Sequence, residues 1–237
     1  SVTSLTAGGI VNISAGNIFR TSFSSFNPTT QRTANNVVLG TVVAGQSVTV
    51  ANQGEGNTSV ASLDASGSVS VQAGGTFLPT LSTPSRTTGS VSIGNTEPLG
   101  ASGNFSINQQ GTGSLTLTGA VDRSNSGQIN LTAANGSITA LDALTARFGI
   151  AVSAPAGTLS LGQLSTGGGS SNGNITLQSS GDLTFASLLA SAPSANSGNI
   201  TISSGSGSVQ TTADTIGNDV VGSGNVGISA GQPIGNG

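Results

Sequence analysis

The sequence contains no cysteine, histidine, methionine, tryptophan, tyrosine or lysine. Without cysteine it forms no disulfide, and without cysteine or histidine it lacks the side chains that transition metals prefer. It also lacks the histidine that serves as general base in Ser–His and Cys–His catalytic sites. We therefore predict a protein that is not an enzyme, with no catalytic residue, no cofactor and no metal site.

Charged side chains are also scarce. Five arginines and eight acidic residues are the only ones among 237 residues, and the net charge is −3. So few cations offer no electrostatic footprint for the phosphates of nucleic acid. The sequence also has no apolar run of about 18 residues, the length that a membrane-spanning helix needs. We therefore exclude nucleic-acid partners and predict no transmembrane segment.

The chain is rich in glycine and small polar residues, with apolar residues that alternate strictly among them. The stretch GNITLQSSGDLTFASL (173–188) shows the pattern. Ile175 and Leu177 alternate with polar residues, Gly181 follows, and Leu183 and Phe185 then alternate in the same way. Alternation over about four to eight residues is typical of a strand with one buried face. Two short strands therefore share this stretch, separated by a glycine corner.

Imperfect copies of this stretch recur along the chain. Each begins with glycine, any residue, an aliphatic residue, a small polar residue and a second aliphatic residue: GIVNI (9–13), GSVSV (67–71), GSVSI (89–93), GNFSI (103–107), GQINL (127–131), GNITL (173–177), GNITI (198–202) and GNVGI (224–228). With a looser copy at 149, the starts from residue 103 onward lie 22 to 26 residues apart. Such a repeat, with three short strands in each copy, is typical of a parallel β-helix whose coils are the repeats. We predict an all-β, single-stranded parallel β-helix of about nine to ten coils, one rod over residues 1–237.

Position within a coil predicts the role of each residue type. Inward aliphatic residues stack from coil to coil and form the core, while outward positions carry small polar residues. Glycine and asparagine are expected at the corners because both tolerate a positive φ. One set of outward residues is expected to share a face and raises ice binding as an alternative function: Thr49, Ser70, Ser92, Ser106, Thr116, Asn130, Thr176 and Thr201. A solvated strand face is the simpler interpretation.

The period breaks near residues 18–36 and 77–89, and we interpret both segments as lateral excursions from the rod. The first holds three of the seven phenylalanines and two of the five arginines. Aromatic residues and arginine are favoured at protein interfaces. We therefore predict a candidate partner surface that consists of Phe19, Arg20, Phe23, Phe26 and Arg32. The alternative is that these side chains cover one flank of the rod.

The acidic residues are scattered through the sequence. Asp142 and Asp182 lie 40 residues apart, which is not a whole number of coils, and Asp182 follows Gly181 at a corner. Glycoside hydrolysis needs two carboxyl groups that flank one bond. We therefore predict that Asp182 has a structural role in the turn and not a catalytic one. A cation shared by Asp214 and Asp219 is a minor alternative.

The rungs GQINLTAANGSIT (127–139), GNITLQSSGDLTF (173–185) and GNITISSGSGSVQ (198–210) resemble the passenger region of filamentous-haemagglutinin-like exoproteins. The resemblance implies a right-handed parallel β-helix that is exported by two-partner secretion. It also implies an adhesin, a toxin stalk or a surface filament, located outside the cell or on the bacterial surface. The secretion module of that family carries an Asn-Pro-Asn-Gly-like motif. Residues 27–30 are Asn-Pro-Thr-Thr, so we do not assign that module.

These features predict a structural or adhesive rod segment of a secreted or cell-surface bacterial exoprotein, without chemistry of its own. The expected partners are a host or neighbouring cell surface, or extracellular polysaccharide. Because neither end of the sequence shows a capping helix or a charged terminal strand, we also expect flanking coils of a longer parent chain or end-to-end self-association. The alternatives are a carbohydrate-binding or carbohydrate-cleaving β-helix and an ice-binding solenoid.

Overall fold

A computed structural model describes residues 1–15, 18–20, 30–32, 36–74, 76–77, 85–97, 101–167, 173–190, 198–212, 220–222 and 224–236. These residues form strands and short connections and contain no helix. Three parallel sheets run along the chain, and the successive strands of each coil belong to different sheets. The chain therefore coils, and the predicted all-β parallel β-helix is confirmed.

The strands fall into three stacks. The nine-stranded sheet contains β2 (Val11–Ala15), β6 (Val48–Asn52), β8 (Val69–Ala73), β12 (Phe105–Gln109), β15 (Gln128–Ala133), β18 (Gly149–Ala154), β21 (Asn174–Ser179), β24 (Ile200–Ser204) and β27 (Val226–Ala230). The ten-stranded sheet contains β1 (Val2–Ala7), β5 (Val37–Ala44), β7 (Thr58–Ala65), β11 (Val91–Glu97), β13 (Leu115–Leu117), β16 (Ile138–Ala140), β19 (Leu159–Leu161), β22 (Leu183–Phe185), β25 (Val209–Thr211) and β28 (Ile234–Asn236). The five-stranded sheet contains β14 (Val121–Arg123), β17 (Leu144–Ala146), β20 (Gln163–Thr166), β23 (Ser187–Ala190) and β26 (Val220–Gly222). Spatial order follows chain order in every sheet, so each coil lies on the one before it.

The core consists of aliphatic columns that run along the rod. In the nine-stranded sheet Val11 pairs with Val48, Val48 pairs with Val69, and the same alignment continues to Val226. Two inward positions of each strand therefore stack on their equivalents in the next coil. Between the first and last strands these residues are at most 2% exposed: Val48, Val50, Val69, Val71, Phe105, Ile107, Ile129, Leu131, Ile150, Val152, Ile175, Leu177, Ile200 and Ile202. At roughly 25 cal/mol per Å² of apolar surface removed from water, these columns are a principal source of stability.

The repeat GSVSI (89–93) does not begin a coil. Its strand β11 belongs to the ten-stranded sheet, where Val91 pairs with Thr58. Val69 of the preceding repeat pairs instead with Phe105, so the segment 74–90 is an insertion within one coil. The expectation that this repeat starts a coil, like its copies, is therefore wrong. Strands of both sheets share one alternating pattern, and only the register between strands distinguishes them.

The coils are built differently in the N-terminal region (residues 1–97) and the C-terminal region (residues 101–236). In the N-terminal region the part of each coil that follows the nine-stranded sheet and its corner is one long strand, such as β5 or β7 with eight residues. In the C-terminal region the same part is divided between two short strands, such as β13 and β14. Three strands per coil, as predicted, are therefore found only in the C-terminal region of the described chain.

Side-chain oxygens at the corners accept hydrogen bonds from the next coil. Oδ1 of Asn174 accepts from the backbone N–H of Asn199 at 2.9 Å, and Oδ1 of Asn199 accepts from that of Asn225 at 2.7 Å. At another corner, Oδ1 of Asn57 accepts from the N–H of Ser90 at 2.8 Å. No non-glycine residue in the described ranges has a positive φ. The expectation that asparagine adopts a positive φ at the corners is therefore wrong for the described asparagines. Asparagine serves there as a hydrogen-bond acceptor.

Glycine at the corner between the nine-stranded and ten-stranded sheets allows a close approach of backbones. Gly113, Gly136 and Gly157 stack in successive coils. A Cβ atom on Gly136 would collide with the carbonyl oxygen of Gly113, and one on Gly157 would collide with that of Gly136. The coils can approach this closely at the corner only because these positions carry no side chain.

Candidate functional site

The two predicted excursions each contain an antiparallel pair of short strands. β3 (Ile18–Arg20) pairs with β4 (Thr30–Arg32), and β9 (Thr76–Phe77) pairs with β10 (Ser85–Arg86). Within the described ranges, neither pair hydrogen-bonds to a strand of the three stacked sheets. We call them the first and the second lateral hairpin.

The first lateral hairpin contains part of the candidate partner surface. Phe19 and Arg20 are in β3, and Arg32 is in the opposite strand β4. The backbone therefore brings Arg20 and Arg32 to one short ladder, although they are far apart in the sequence. Phe23 and Phe26 lie outside the described residues.

Both lateral hairpins leave the rod at the same corner. The first follows β2 and the second follows β8, both of the nine-stranded sheet, and the chain then returns to β5 or β11 of the ten-stranded sheet. One coil, that of β6, lies between them, so their bases are about 10 Å apart. At the second base, Nη1 of Arg86 donates to the carbonyl of Gln110 at 3.1 Å. The shared corner is not evident in the sequence, because it depends on the register of strands that are distant along the chain.

Asp182 lies at a corner, as predicted. Its Oδ1 atom accepts from the backbone N–H of Ser208 at 2.8 Å and from the Ser208 hydroxyl at 2.9 Å. These bonds, the backbone one foremost, lower the pKa of the Asp182 carboxyl because they stabilise its ionised form. Asp142 lies at a different corner, between β16 and β17, so the two do not form a pair. Asp214 and Asp219 lie outside the described residues.

The register places two acidic residues side by side that the sequence analysis did not connect. Asp64 in β7 pairs with Glu97 in β11 of the neighbouring coil. The backbones of adjacent strands lie about 4.8 Å apart. On its other side Asp64 pairs with Val43, which supplies no charge. A pair of acids alone does not make a catalytic site, and like charges in register are destabilising.

Most buried polar side chains of the described residues bind backbone carbonyls at the corners, either of their own coil or of the preceding coil. Nδ2 of Asn52 donates to the carbonyl of Gly56 at 3.0 Å, and Nε2 of Gln109 donates to that of Gly89. Three hydroxyl groups also donate to corner carbonyls: Thr166, Ser179 and Ser204. These groups satisfy backbone atoms that the strand ladders leave unpaired. They therefore close the corners.

Arg123 is a buried cation that hydrogen-bonds to carbonyls. It is 2% exposed, and its Nη1 atom lies 3.3 Å from the carbonyl oxygen of Ala65 and 3.2 Å from that of Gly67. Its guanidinium lies over the ring of Phe105, 5.6 Å from the centroid. Burial lowers the pKa of Arg123, and the charge of Asp122 partly opposes this. Its Nε atom has no partner in the described part of the chain.

The outward residues predicted to share one face are divided between two sheets. Six stack on the nine-stranded sheet: Thr49, Ser70, Ser106, Asn130, Thr176 and Thr201. Ser92 and Thr116 pair in the ten-stranded sheet, so the prediction is wrong for these two residues. Their column has a hydroxyl in six successive coils: Ser59, Ser92, Thr116, Thr139, Ser160 and Thr184. Its three-residue strands have only one outward residue each, so from β13 onward the column is one residue wide.

A notch of about 170 Å³ interrupts the outward face of the nine-stranded sheet. Its floor is the first half of β18, where the two outward positions are Gly149 and Ala151. Neighbouring coils carry longer polar side chains at the same positions, and these form the walls: Gln128, Asn130, Asn174 and Thr176. The loss of side chains in one coil therefore opens the notch.

An exposed aromatic ring lies at one end of the notch. Phe148 comes directly before β18 and is 43% exposed. The guanidinium of Arg147 lies 5.8 Å from the centroid of its ring, and Nη1 of Arg147 donates to the carbonyl of Asn125 at 2.8 Å. The sequence offers a weak signal of this site. Arg-Phe replaces the small polar residues that precede the strand in other repeats.

The described ranges contain no group of three or more acidic residues placed to hold a metal ion. They also contain no helix long and apolar enough to cross a bilayer.

No family model, no curated protein and no solved structure matches this chain.

Proposed function

We propose that this chain is a structural rod segment of a secreted or cell-surface bacterial exoprotein, as its resemblance to filamentous-haemagglutinin-like passenger repeats implies. The observation that supports this most is the continuous register of the nine-stranded sheet. Each inner coil is hydrogen-bonded to both neighbours, and this gives a solenoid continuity along its axis. At about 4.8 Å per coil, nine strands extend roughly 40 Å.

The rod holds other parts of a parent protein at a distance from the cell, and its lateral hairpins provide contacts. Both hairpins leave from one corner, so one side of the rod carries both. Arg20, Arg32 and Arg86 belong to these hairpins and make up three of the five arginines. Arginine and aromatic residues on one side support contact with a cell surface or with extracellular polysaccharide.

The ends of the sheets also support assembly. The aliphatic columns reach the outermost strands, where Val2, Val226 and Ile234 are 44–48% exposed. Flanking coils of a longer parent chain would continue these columns and cover them. The end of a second copy would do the same.

The location can be tested with antibodies against the rod on intact cells of the source organism. Surface label that protease treatment of intact cells removes, together with chain in the medium, is the expected result. Label that appears only after lysis would contradict the proposal. Intact-mass measurement of the native protein from both fractions would also show whether further coils flank the rod.

The role of the first lateral hairpin can be tested by its removal. Residues 18–32 are replaced by a short Gly-Asn turn, and the matched control removes 76–86 of the second hairpin. Beads coated with each rod are then tested for adhesion to cells, with circular dichroism to check that β-content is unchanged. Adhesion that depends on the first hairpin supports a partner surface there. Adhesion that both deletions leave unchanged shows that the hairpins only cover the flank.

A further inference from the structure

The notch above β18 has hydrogen-bonding groups on both walls that are not used by the described residues of the protein. In the described part of the chain, the side-chain amides of Gln128 and Asn130 and the hydroxyl of Thr176 have no partner. Oδ1 of Asn174 accepts from Asn199, and its Nδ2 group remains a donor. The walls therefore present both donors and acceptors to one small space.

Phe148 presents an apolar surface beside these polar groups. Its backbone is fixed, because its N–H donates to the carbonyl of Gly127 at 3.0 Å. Phe148 as a whole residue is 43% exposed and is not among the residues that form the core. Arg147, which is itself bound to Asn125, lies within cation–π distance of the ring. The ring is therefore held at the end of the notch without contributing to the core.

A ligand for this site must combine an apolar face with neutral donors and acceptors. A pyranose ring has both, because its C–H groups can lie against an aromatic ring while its hydroxyls donate and accept. The lining contains no acidic residue. The volume of about 170 Å³ is below the roughly 300–1,000 Å³ of pockets that enclose drug-sized ligands, and so suits one ring of a longer molecule.

We propose that this notch binds one neutral pyranose ring of an extracellular polysaccharide. The sugar lies against Phe148, and its hydroxyls bind the amides of Gln128 and Asn174. Because the notch is open to solvent, the rest of the polysaccharide can extend from the bound ring in both directions along the surface. A single ring gives weak binding, since few groups are buried. The proposal goes beyond the rod function, which would stand if the notch bound nothing.

The test is an NMR titration of the full 237-residue chain labelled with nitrogen-15. The probes are neutral linear hexasaccharides of glucose, mannose and galactose, with hexagalacturonate as the acidic comparison. We expect saturable shifts in the side-chain amide signals of Gln128, Asn130 and Asn174 with at least one neutral probe. Signals of Asn57 and Asn225, which lie at other corners, should not move.

Two variants and one control make the test specific. Ala151→Thr fills the floor with the residue that stands at the same position one coil later, at Thr176. Phe148→Ala removes the ring. The matched control is Leu141→Ala, which removes another exposed apolar side chain, 65% exposed and at a different corner. Both notch variants should weaken binding at least about tenfold, and the control should leave it unchanged.

Three results would overturn the proposal. They are no saturable shift with any neutral probe, binding that both notch variants retain, and binding of hexagalacturonate alone. Thermal unfolding of each variant checks the fold, and no large change is expected because both side chains are exposed. If Ala151→Thr does not fold, Ala151→Ser and Phe148→Ala carry the test.

Discussion

The N-terminal and C-terminal regions belong to one β-helix, but their coils are divided into strands differently. Before residue 98, long strands run without interruption and two lateral hairpins interrupt the corner that precedes them. After residue 100, the corresponding part of each coil is divided between short strands of the ten-stranded sheet and of the five-stranded sheet. The two aliphatic columns of the nine-stranded sheet nevertheless keep their register through both regions. The fold therefore depends on these columns, while the rest of the coil tolerates insertion and division.

The difference also explains where Arg123 lies. β14, which contains it, is the first strand of the five-stranded sheet, so no earlier strand of that sheet pairs with its edge. The Arg123 side chain fills this position and reaches back to Ala65 and Gly67, at the end of a long N-terminal strand. A long side chain that binds carbonyls thus joins the two kinds of coil.

The largest effect is expected at this joint. Arg123→Ala leaves the carbonyls of Ala65 and Gly67 without their donor and removes the cover of Phe105, so it should lower the free energy of unfolding by about 2–5 kcal/mol. Arg147→Ala, at a half-buried arginine whose hydrogen bond to Asn125 is exposed to solvent, is the control and should cost less than about 1 kcal/mol. Urea denaturation compares the two. Equal small losses would show that Arg123 does not join the regions.

The second effect concerns the close approach of coils in the C-terminal region. Gly136→Ala brings a Cβ atom against the carbonyl of Gly113, and the backbone cannot move away without breaking the ladder. We expect a loss of about 1–3 kcal/mol or more. Gly9→Ala in the N-terminal region meets open space and should change stability by less than about 0.5 kcal/mol. Thermal unfolding of both variants tests this. A harmless Gly136→Ala would refute the steric argument.

Third, the corner acceptors are expected to contribute similarly to the free energy of unfolding in both regions. Asn199→Ala in the C-terminal region and Asn57→Ala in the N-terminal region each remove one acceptor of a backbone N–H. Each should cost about 0.5–1.5 kcal/mol. Asn199→Ser should retain part of this, because Oγ of Ser68 accepts from Asn104 at an equivalent corner. A much larger loss at Asn57 would show that the corner next to an insertion depends more on its acceptor.

The fourth prediction concerns the acidic pair of the N-terminal region. Asp64→Asn removes one of the two acidic residues that the register pairs. It should stabilise the protein by about 0.2–1 kcal/mol, because like charges directly opposite in a ladder are destabilising. The gain should shrink at about 1 M salt, where the screening length is near 3 Å. Asp142→Asn in the C-terminal region, at a corner acid outside any strand pair, is the control. The same gain from both variants would exclude repulsion within the pair as the cause.

The smallest effect is a pH dependence at Asp182. Its pKa is lowered from the ordinary value of 3.8 by hydrogen bonds from Ser208. The stabilisation is therefore present above pH 3.8 and is lost as the pH falls through the lower, folded-state value. Asp182→Asn keeps an acceptor but does not titrate, so the difference in melting temperature between variant and wild type should change only in that acid range. A difference that changes near neutral pH would contradict this assignment.

Much of the fold and little of the candidate site were predictable. Alternation around Ile175 and Leu177 indicated strands, and the repeat length indicated coils, because both are local properties of the chain. The pairing of Asp64 with Glu97 and the notch at Gly149 were not predicted. Both depend on which residues of different coils are in register, and insertions of unequal length hide that register.

The amino-acid sequence by itself determined that this is a β-solenoid with an aliphatic core and few charged side chains. A period of two residues, recurrent glycines between the strands and the repeat length specify that much. Only the tertiary structure decided which sheet each strand joins, where both hairpins emerge, and which outward side chains line the notch. The physical reason is that a shift of one residue between coils would exchange the inward and outward faces, and this register is set by packing along the whole rod.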